Sequence, residues 1–176
     1  MSKCCEEFVG THNFHNYSRD MLAKDPKAKR FIASMKVEEL DGDSIMFTIT
    51  GQSFIYHQIR KMIGCIAMVM VNEYPPSFIQ NTFFRNQIHM PLAPAEGLFL
   101  NALDFTPYNR KKDIPQPLDP QLEATVGALR EEIHEHVRGL DCGVWKEWLG
   151  QLRSNIFHNV QFREESREGE RGEHDE

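Results

Sequence analysis

The sequence has no pair of cysteines at zinc-ligating spacing. Its four cysteines, Cys4, Cys5, Cys65 and Cys142, form no CxxC, and Cys65 lies inside an apolar run. A structural zinc site needs three or four ligands at recognisable spacings, so reduced thiols are the expectation. Long hydrophobic runs are also missing. The longest, 62-MIGCIAMVMV-71, is about half of what a bilayer crossing requires. No charged-then-apolar leader opens the chain, and the reading is of a soluble protein with no membrane partner. An excess of basic charge is lacking too, which argues against a freestanding nucleic-acid binder. The formal net charge of −6 is uneven: residues 1–118 hold 13 Lys and Arg against 12 Asp and Glu, and residues 119–176 hold 7 against 14. The near-neutral first part leaves room for a modest basic surface. Finally, there is no GxxxxGK[ST], GxGxxG or GxSxG, so neither a recognised phosphate-cradling loop nor a nucleophile elbow is present.

What remains is an ordinary globular balance, 40% apolar and 26% charged over 176 residues, enough for one domain with a real core. Cys4 to Val9 reads as a short amphipathic helix and 10-GTHNFHNYS-18 as a structured loop. The segments 31–40 and 44–50 read as two strands about the turn 41-DGD-43, the second with period-2 alternation of Ile45, Phe47 and Ile49. Ser53 is an N-cap candidate for a helix over about 54–71. A short helix after Pro75-Pro76, a proline-punctuated loop 91–97 and a third strand over 98–105 follow. Two helical segments close the ordered part, about 121–138 with Leu122, Val126, Leu129, Ile133 and Val137 in register, and 143–157 around Trp145, Trp148, Leu149 and Leu152. The fold class is therefore α+β, a mainly antiparallel sheet with helices packed on one face, plus a C-terminal helical extension and a disordered acidic tail.

One residue does not fit its surroundings. In 53-SFIYHQIRKMIGCIAM-68 the stripe Ile55, Ile59, Met62, Ile63, Ile66, Val69, Met70 is a core face, and Arg60 falls off it, on a flank shared with Gly64 and Ala67. The macrodipole favours anions near a helix N-terminus, so it does not account for an arginine there. A solvated or structurally paired charge is one reading. The other is a guanidinium held beside a catalytic carboxylate or a phosphate, where its planar fork is useful. His12 and His15 form an HxxH without a third ligand nearby, and His134 and His136 point in different directions on a helix. No metal site is expected.

Three segments together, 10-GTHNFHNYS-18, 51-GQSFIYHQIRKMIG-64 and 94-PAEGLFL-100, resemble the tRNA pseudouridine synthases of the TruA type, and more closely their eukaryotic branch. The tail, with 145-WKEWL-149 and 156-IFHN-159, is similar to the C-terminal extension of the eukaryotic members. The resemblance implies isomerisation of uridine to pseudouridine in RNA, without metal or organic cofactor. An aspartate attacks the target uridine, and the base detaches, turns and rejoins the ribose through carbon. By the same resemblance Arg60 supports that aspartate and keeps it ionised, Gly97 and Leu98 wall the pocket, and His12, Asn13, Phe14, His57 and Lys61 contact RNA. No aspartate here lies in a GRTD-like context. The expectation is thus the C-terminal half of a synthase, with the nucleophile absent and the chain inactive alone. Its partners would be tRNA, other RNAs as further substrates, and the N-terminal half of the same enzyme. The alternative is a non-catalytic RNA-binding or partner-binding module retaining the fold. The implied organisation is a half catalytic domain over 1–107, a linker over 108–120, a helical extension over 121–160 and the acidic tail over 161–176, in the nucleus or mitochondrion.

Overall fold

Strand pairing follows from where the apolar side chains fall. In the computed structural model, which describes residues 1–40, 44–110, 122–139 and 142–154, three strands form one antiparallel sheet in the order β1 (Gly10–Asn13), β2 (Lys29–Glu39), β3 (Ile45–Gly51). The expected hairpin is present, with Val37 opposite Phe47 and Met35 opposite Ile49 on the core side. Ile32 and Met35 are both buried although they are three positions apart, an offset that puts side chains of a regular strand on opposite faces. The register explains this. Ile32 pairs with Gly51 and Ser34 with Thr50, so two steps on β2 face one on β3. The extra residue is a bulge that turns the rest of β2 over, and Met35 and Val37 then join the face that Ile32 begins.

Against that face lie α1 (Ser2–Glu6), which buries Cys4 and Cys5, and α2 (Gln58–Val71), which buries Met62, Cys65, Ile66 and Val69 at i, i+3, i+4 and i+7 spacing. Short helices α3 (Phe78–Asn81) and α4 (Thr106–Asn109) follow, then α5 (Leu122–Arg138) and α6 (Gly143–Ser154). Helix α6 packs on α2 and buries Leu152. Among the described residues no helix is long and apolar enough to cross a membrane. The expected turn at 41–43, most of the linker, the side chains of Leu122, Val126 and Leu129, residues 156–159 and the acidic tail all lie outside the described residues.

Three expectations need correction. Residues 10–13 form an edge strand beside β2, because pairing with Lys29–Ile32 overrides the loop-like composition. Helix α2 begins at Gln58 instead of 54, and Ser53 does not cap it. The cap is His57, in the left-handed region at φ 68, while the Gln58 side-chain carbonyl accepts from the Ile55 amide at 2.9 Å. The third strand over 98–105 is not formed. A strand requires a ladder partner, and this segment pairs with neither sheet edge. Its leucines instead face outward, with Leu98, Leu100 and Leu103 exposed by 49%, 72% and 61%.

The 10–18 segment is held by its own polar side chains. Asn16 donates from Nδ2 to the Thr82 carbonyl at 2.8 Å and the Asn86 carbonyl at 3.0 Å, and accepts at Oδ1 from the Ile88 amide at 2.8 Å. The buried Tyr17 hydroxyl lies 2.5 Å from Thr82 Oγ1 and 3.5 Å from Cys65 Sγ. Thr82 in turn donates to the Ile79 carbonyl. Phe8, Phe14, Tyr17 and Phe83 pack edge to face around them. Burial pushes the Cys65 thiol up from 9.0 to about 12 and the Tyr17 phenol well above 10.0. Both groups are thus held neutral in the fold and ionise earlier when unfolded. The Cys65 contribution to stability is complete below pH 9 and is lost as pH rises through 9 to 12, on the order of 4 kcal/mol, and that of Tyr17 declines as pH rises above 10.0. Denaturant unfolding between pH 8 and 11 is expected to show this decline, shallower in Cys65→Ala than in the parent chain. An identical slope in the variant would remove Cys65 as its source.

Candidate active site

Arg60 sits in the first turn of α2, and one short segment fixes it. Its Nε donates to the Ala93 carbonyl at 2.7 Å, while the Ala93 amide donates back to the Arg60 carbonyl at 3.2 Å. One turn along the same flank, the backbone of Pro91 lies so close to Gly64 that a Cβ there would stand 2.0 Å from the Pro91 oxygen. The small residues flanking Arg60 therefore do not leave open space above the guanidinium. At Gly64 that space is filled by chain, and Met90, Pro91 and Ala93 are buried there.

Beyond Ala93 the backbone turns. The Leu98 amide donates to the Ala95 carbonyl at 3.0 Å, and Gly97 holds φ +86 at the third position of the turn, where a side chain would be strained. Pro94, Ala95 and Glu96 form one side of a cleft of about 370 Å³ with Arg60 and Leu92. The other side is α6, through Val144, Glu147, Trp148 and Gln151. These four residues follow i, i+3, i+4, i+7 spacing and so share one helix face. Sequence reading missed them as site residues, since WKEWL there signalled only a packed helix. The readable sign was the 144/147/148/151 stripe, whose polar members would be idle on a purely structural face.

Among the described residues Arg60 forms no ion pair, although Glu96 and Glu147 line the same cleft. Its Nε is committed to Ala93, and no other hydrogen bond engages its side chain there. The arrangement can hold one planar anionic group on the terminal nitrogens of a guanidinium already fixed at its root.

The other expected site residues are spread out. Gly97 packs towards Val137 of α5, with the Val137 Cγ1 3.5 Å from where a Cβ would stand. Leu98 is half exposed and does not line the cleft. Phe14 is fully buried among aromatic rings. His12 lies 3.0 Å from the Val9 carbonyl through Nε2 and stacks on Phe83 at 4.3 Å between ring centroids. Asn13 donates to the Ala23 carbonyl at 2.7 Å and lies 3.1 Å from His15 Nδ1. Lys61 donates from Nζ to the Asn16 carbonyl at 3.2 Å and to the Ser18 carbonyl, tying the 10–18 segment to α2. Burial lowers its pKa, opposed by Asp20. His57 stays near Arg60. Burial first, then the charges of Arg60, Lys61 and Arg19, hold its imidazole below the ordinary value. Among the described residues no cluster of three or more His, Cys, Asp or Glu could hold a metal.

The α+β scaffold thus presents an arginine rooted at Ala93, and unpaired among the described residues, at the edge of a cleft where an anionic group could be bound. The family model described as tRNA pseudouridine synthase matches residues 4–106, and the chain belongs to that family. It is similar to the human "Pseudouridylate synthase 1 homolog", 35% identical over 161 residues, which cover 85% of this chain and 38% of that protein. The Saccharomyces cerevisiae "tRNA pseudouridine(27/28) synthase" is 39% identical over 107 residues, covering 60% of this chain and 29% of the yeast protein. The Schizosaccharomyces pombe "tRNA pseudouridine synthase 1" is 31% identical over 156 residues, covering 86% and 28%. The chain thus spans well under half the length of these curated relatives.

Gly64 offers a direct probe of how the cleft is held. Gly64→Ala is expected to destabilise the fold by about 1–3 kcal/mol, because the added methyl must displace backbone. In mid-α5, where nothing lies within 4 Å of a Cβ at Gly127, Gly127→Ala is expected to stabilise by up to about 1 kcal/mol. Urea titration of both variants measures the contrast. Equal stability of Gly64→Ala and the parent would show that the Pro91 contact yields freely.

Proposed function

We propose that this chain is the part of an RNA pseudouridine synthase that supplies Arg60 to the catalytic carboxylate, with tRNA as the substrate class and other RNAs as further substrates. The observation that carries the reading is the guanidinium itself. It is anchored through Nε, unpaired among the described residues, and set in a cleft. A carboxylate brought to the terminal nitrogens would be aimed by a two-pronged contact and kept ionised by the adjacent charge. An ionised aspartate is what nucleophilic attack on the uridine requires. No aspartate among the described residues lies within 4.0 Å of Arg60. Since no aspartate of the chain lies in a GRTD-like context, the nucleophile in this reading is supplied by the N-terminal half of the same enzyme. That half also completes the RNA-binding surface, in keeping with the modest basic charge of residues 1–118. The nucleus or the mitochondrion is the compartment the resemblance implies.

Arg60→Lys is a sharp test. A lysine cannot bond Ala93 and present two further donors in one plane, so it should fail to rescue Arg60→Ala. Leaving a carboxylate without its partner costs about 3–5 kcal/mol, which corresponds to a loss of at least about a hundredfold in turnover. Loss of the Ala93 bond alone should cost only about 1 kcal/mol of stability. Tritium release from unmodified tRNA is the assay, with thermal unfolding of each variant beside it. The 176-residue chain alone is expected to release nothing, and addition of the N-terminal half is expected to restore turnover. Release by the isolated chain, or normal turnover in Arg60→Lys, would refute the reading.

A further inference from the structure

The most exposed tyrosine of the described chain lies directly before the most constrained residue of the candidate site. Tyr56 is 68% exposed, whereas Tyr17 is fully buried in the aromatic core. Its ring centroid stands 3.8 Å from that of His57, at 62°. His57 takes a φ of 68 and ψ of −2, a left-handed conformation that glycine adopts freely and that costs a residue with a side chain. The strain is not offset by a cap, since the His57 side chain makes no capping hydrogen bond to α2. In exchange, two rings are held against each other on a fixed backbone at the mouth of α2. Three cations lie near enough to His57 to act on its imidazole. Arg60 and Lys61 follow on the first turn of α2, and Arg19 leaves the 10–18 segment, which Lys61 holds in place through the Asn16 and Ser18 carbonyls. Asp20, which pairs with Arg19 at 3.7 Å, is the acid among them.

Exposed ring faces beside clustered cations are the two elements by which proteins bind unpaired nucleotides. Rings stack on a base of any sequence, and cations meet the phosphates. We infer that the Tyr56 ring, braced edge-on by His57, forms a stacking shelf for one unpaired base of the RNA, with Arg19 facing a flanking phosphate. This deepens the functional reading above and rests on it, since it presumes that the ligand is RNA. Fixed rings lose little freedom on binding, which gives the left-handed backbone at His57 a use. A duplex would not serve as well, because its bases already stack on one another and leave no free face.

The test uses the full 176-residue chain and a short single-stranded RNA carrying 2-aminopurine beside a uridine, a base whose fluorescence falls when it stacks. The parent chain is expected to bind it at low salt with quenching, and to bind the same RNA more weakly once annealed to its complement. Tyr56→Ala should weaken binding about 5- to 150-fold, the loss of one stacked base, and abolish the quenching. Tyr56→Phe should keep both. His57→Gly separates structure from function, because it relieves the backbone while removing a ring. It should raise the melting temperature and still lower affinity. Binding and quenching that survive in Tyr56→Ala would overturn the shelf alone. Failure of the parent chain to bind any RNA at low salt would also overturn the shelf, whereas the functional reading falls only if the chain joined by the N-terminal half releases no tritium from tRNA.

Discussion

The candidate site depends on one backbone contact, the docking of Met90–Ala93 on α2. At Gly64 the absence of a side chain lets the Pro91 backbone approach the helix to a distance no other residue permits. At Arg60 the helix reaches back twice, through its own carbonyl and through Nε, to the amide and carbonyl of Ala93. The two contacts lie one turn apart and so grip the segment at two points. The Arg60 contact satisfies both backbone polar groups of the buried Ala93, in a stretch that belongs to neither sheet nor helix, which would otherwise be costly. The two contacts also decide where the Pro94–Glu96 wall stands relative to the guanidinium. Arg60 is thus first a structural residue. Among the described residues only Nε of its side chain is engaged, which leaves the fork to another partner.

A second constraint is the polar interior of residues 13–18. His15, Asn16 and Ser18 are buried, yet their side chains or carbonyls are largely engaged. A carboxamide that donates twice and accepts once, as Asn16 does, specifies the 82–88 path more tightly than apolar packing could, since any slip would leave buried groups unpaired. Lys61 adds the helix to this network by donating to the Asn16 and Ser18 carbonyls. The position of α2, and with it Arg60, is therefore set on one flank by the 90–93 segment and on another by the 10–18 segment.

How much of this could be read in advance depended on whether the signal was periodic. The β2–β3 hairpin and the body of α2 were legible because Phe47, Ile49, Met62, Ile66 and Val69 repeat at strand and helix spacing. The bulge in β2 leaves no such mark, since it depends on the partner strand. The same limit explains the failed strand at 98–105: Leu98 and Leu100 alternate correctly, but alternation describes one strand and a ladder needs two. The short strand at 10–13 failed in the opposite sense, its composition hiding a pairing that β2 imposes. Arg60 stood out because it broke a pattern, and the segment around it carried the resemblance to the family only together with 10–18 and 94–100. Its anchor at Ala93, 33 positions away, could be found only in three dimensions. Likewise the α6 wall arises from a helix whose sequence shows a packed face without showing against what.

The electrostatic state of the cleft follows from these placements. A buried arginine already paired with a carboxylate would have to surrender that pair before engaging a new one, and breaking such a pair costs several kcal/mol, about 3–5. Here Glu96 and Glu147 share the cleft with Arg60 but are solvent-exposed and outside ion-pair distance. Their fields are screened by water and weaken at physiological salt. They temper the positive charge without occupying the fork. A carboxylate or phosphate arriving at about 4 Å, with water partly excluded, would interact by about 4 kcal/mol at the effective dielectric of a protein surface. A group that reaches the terminal nitrogens loses less of this attraction to side-chain ordering, because the root of the side chain is already fixed by Ala93, and desolvation is the main cost that remains. Anchoring at Nε and the outward presentation of the terminal nitrogens are two consequences of one geometry, and the geometry rests on the close approach that Gly64 allows.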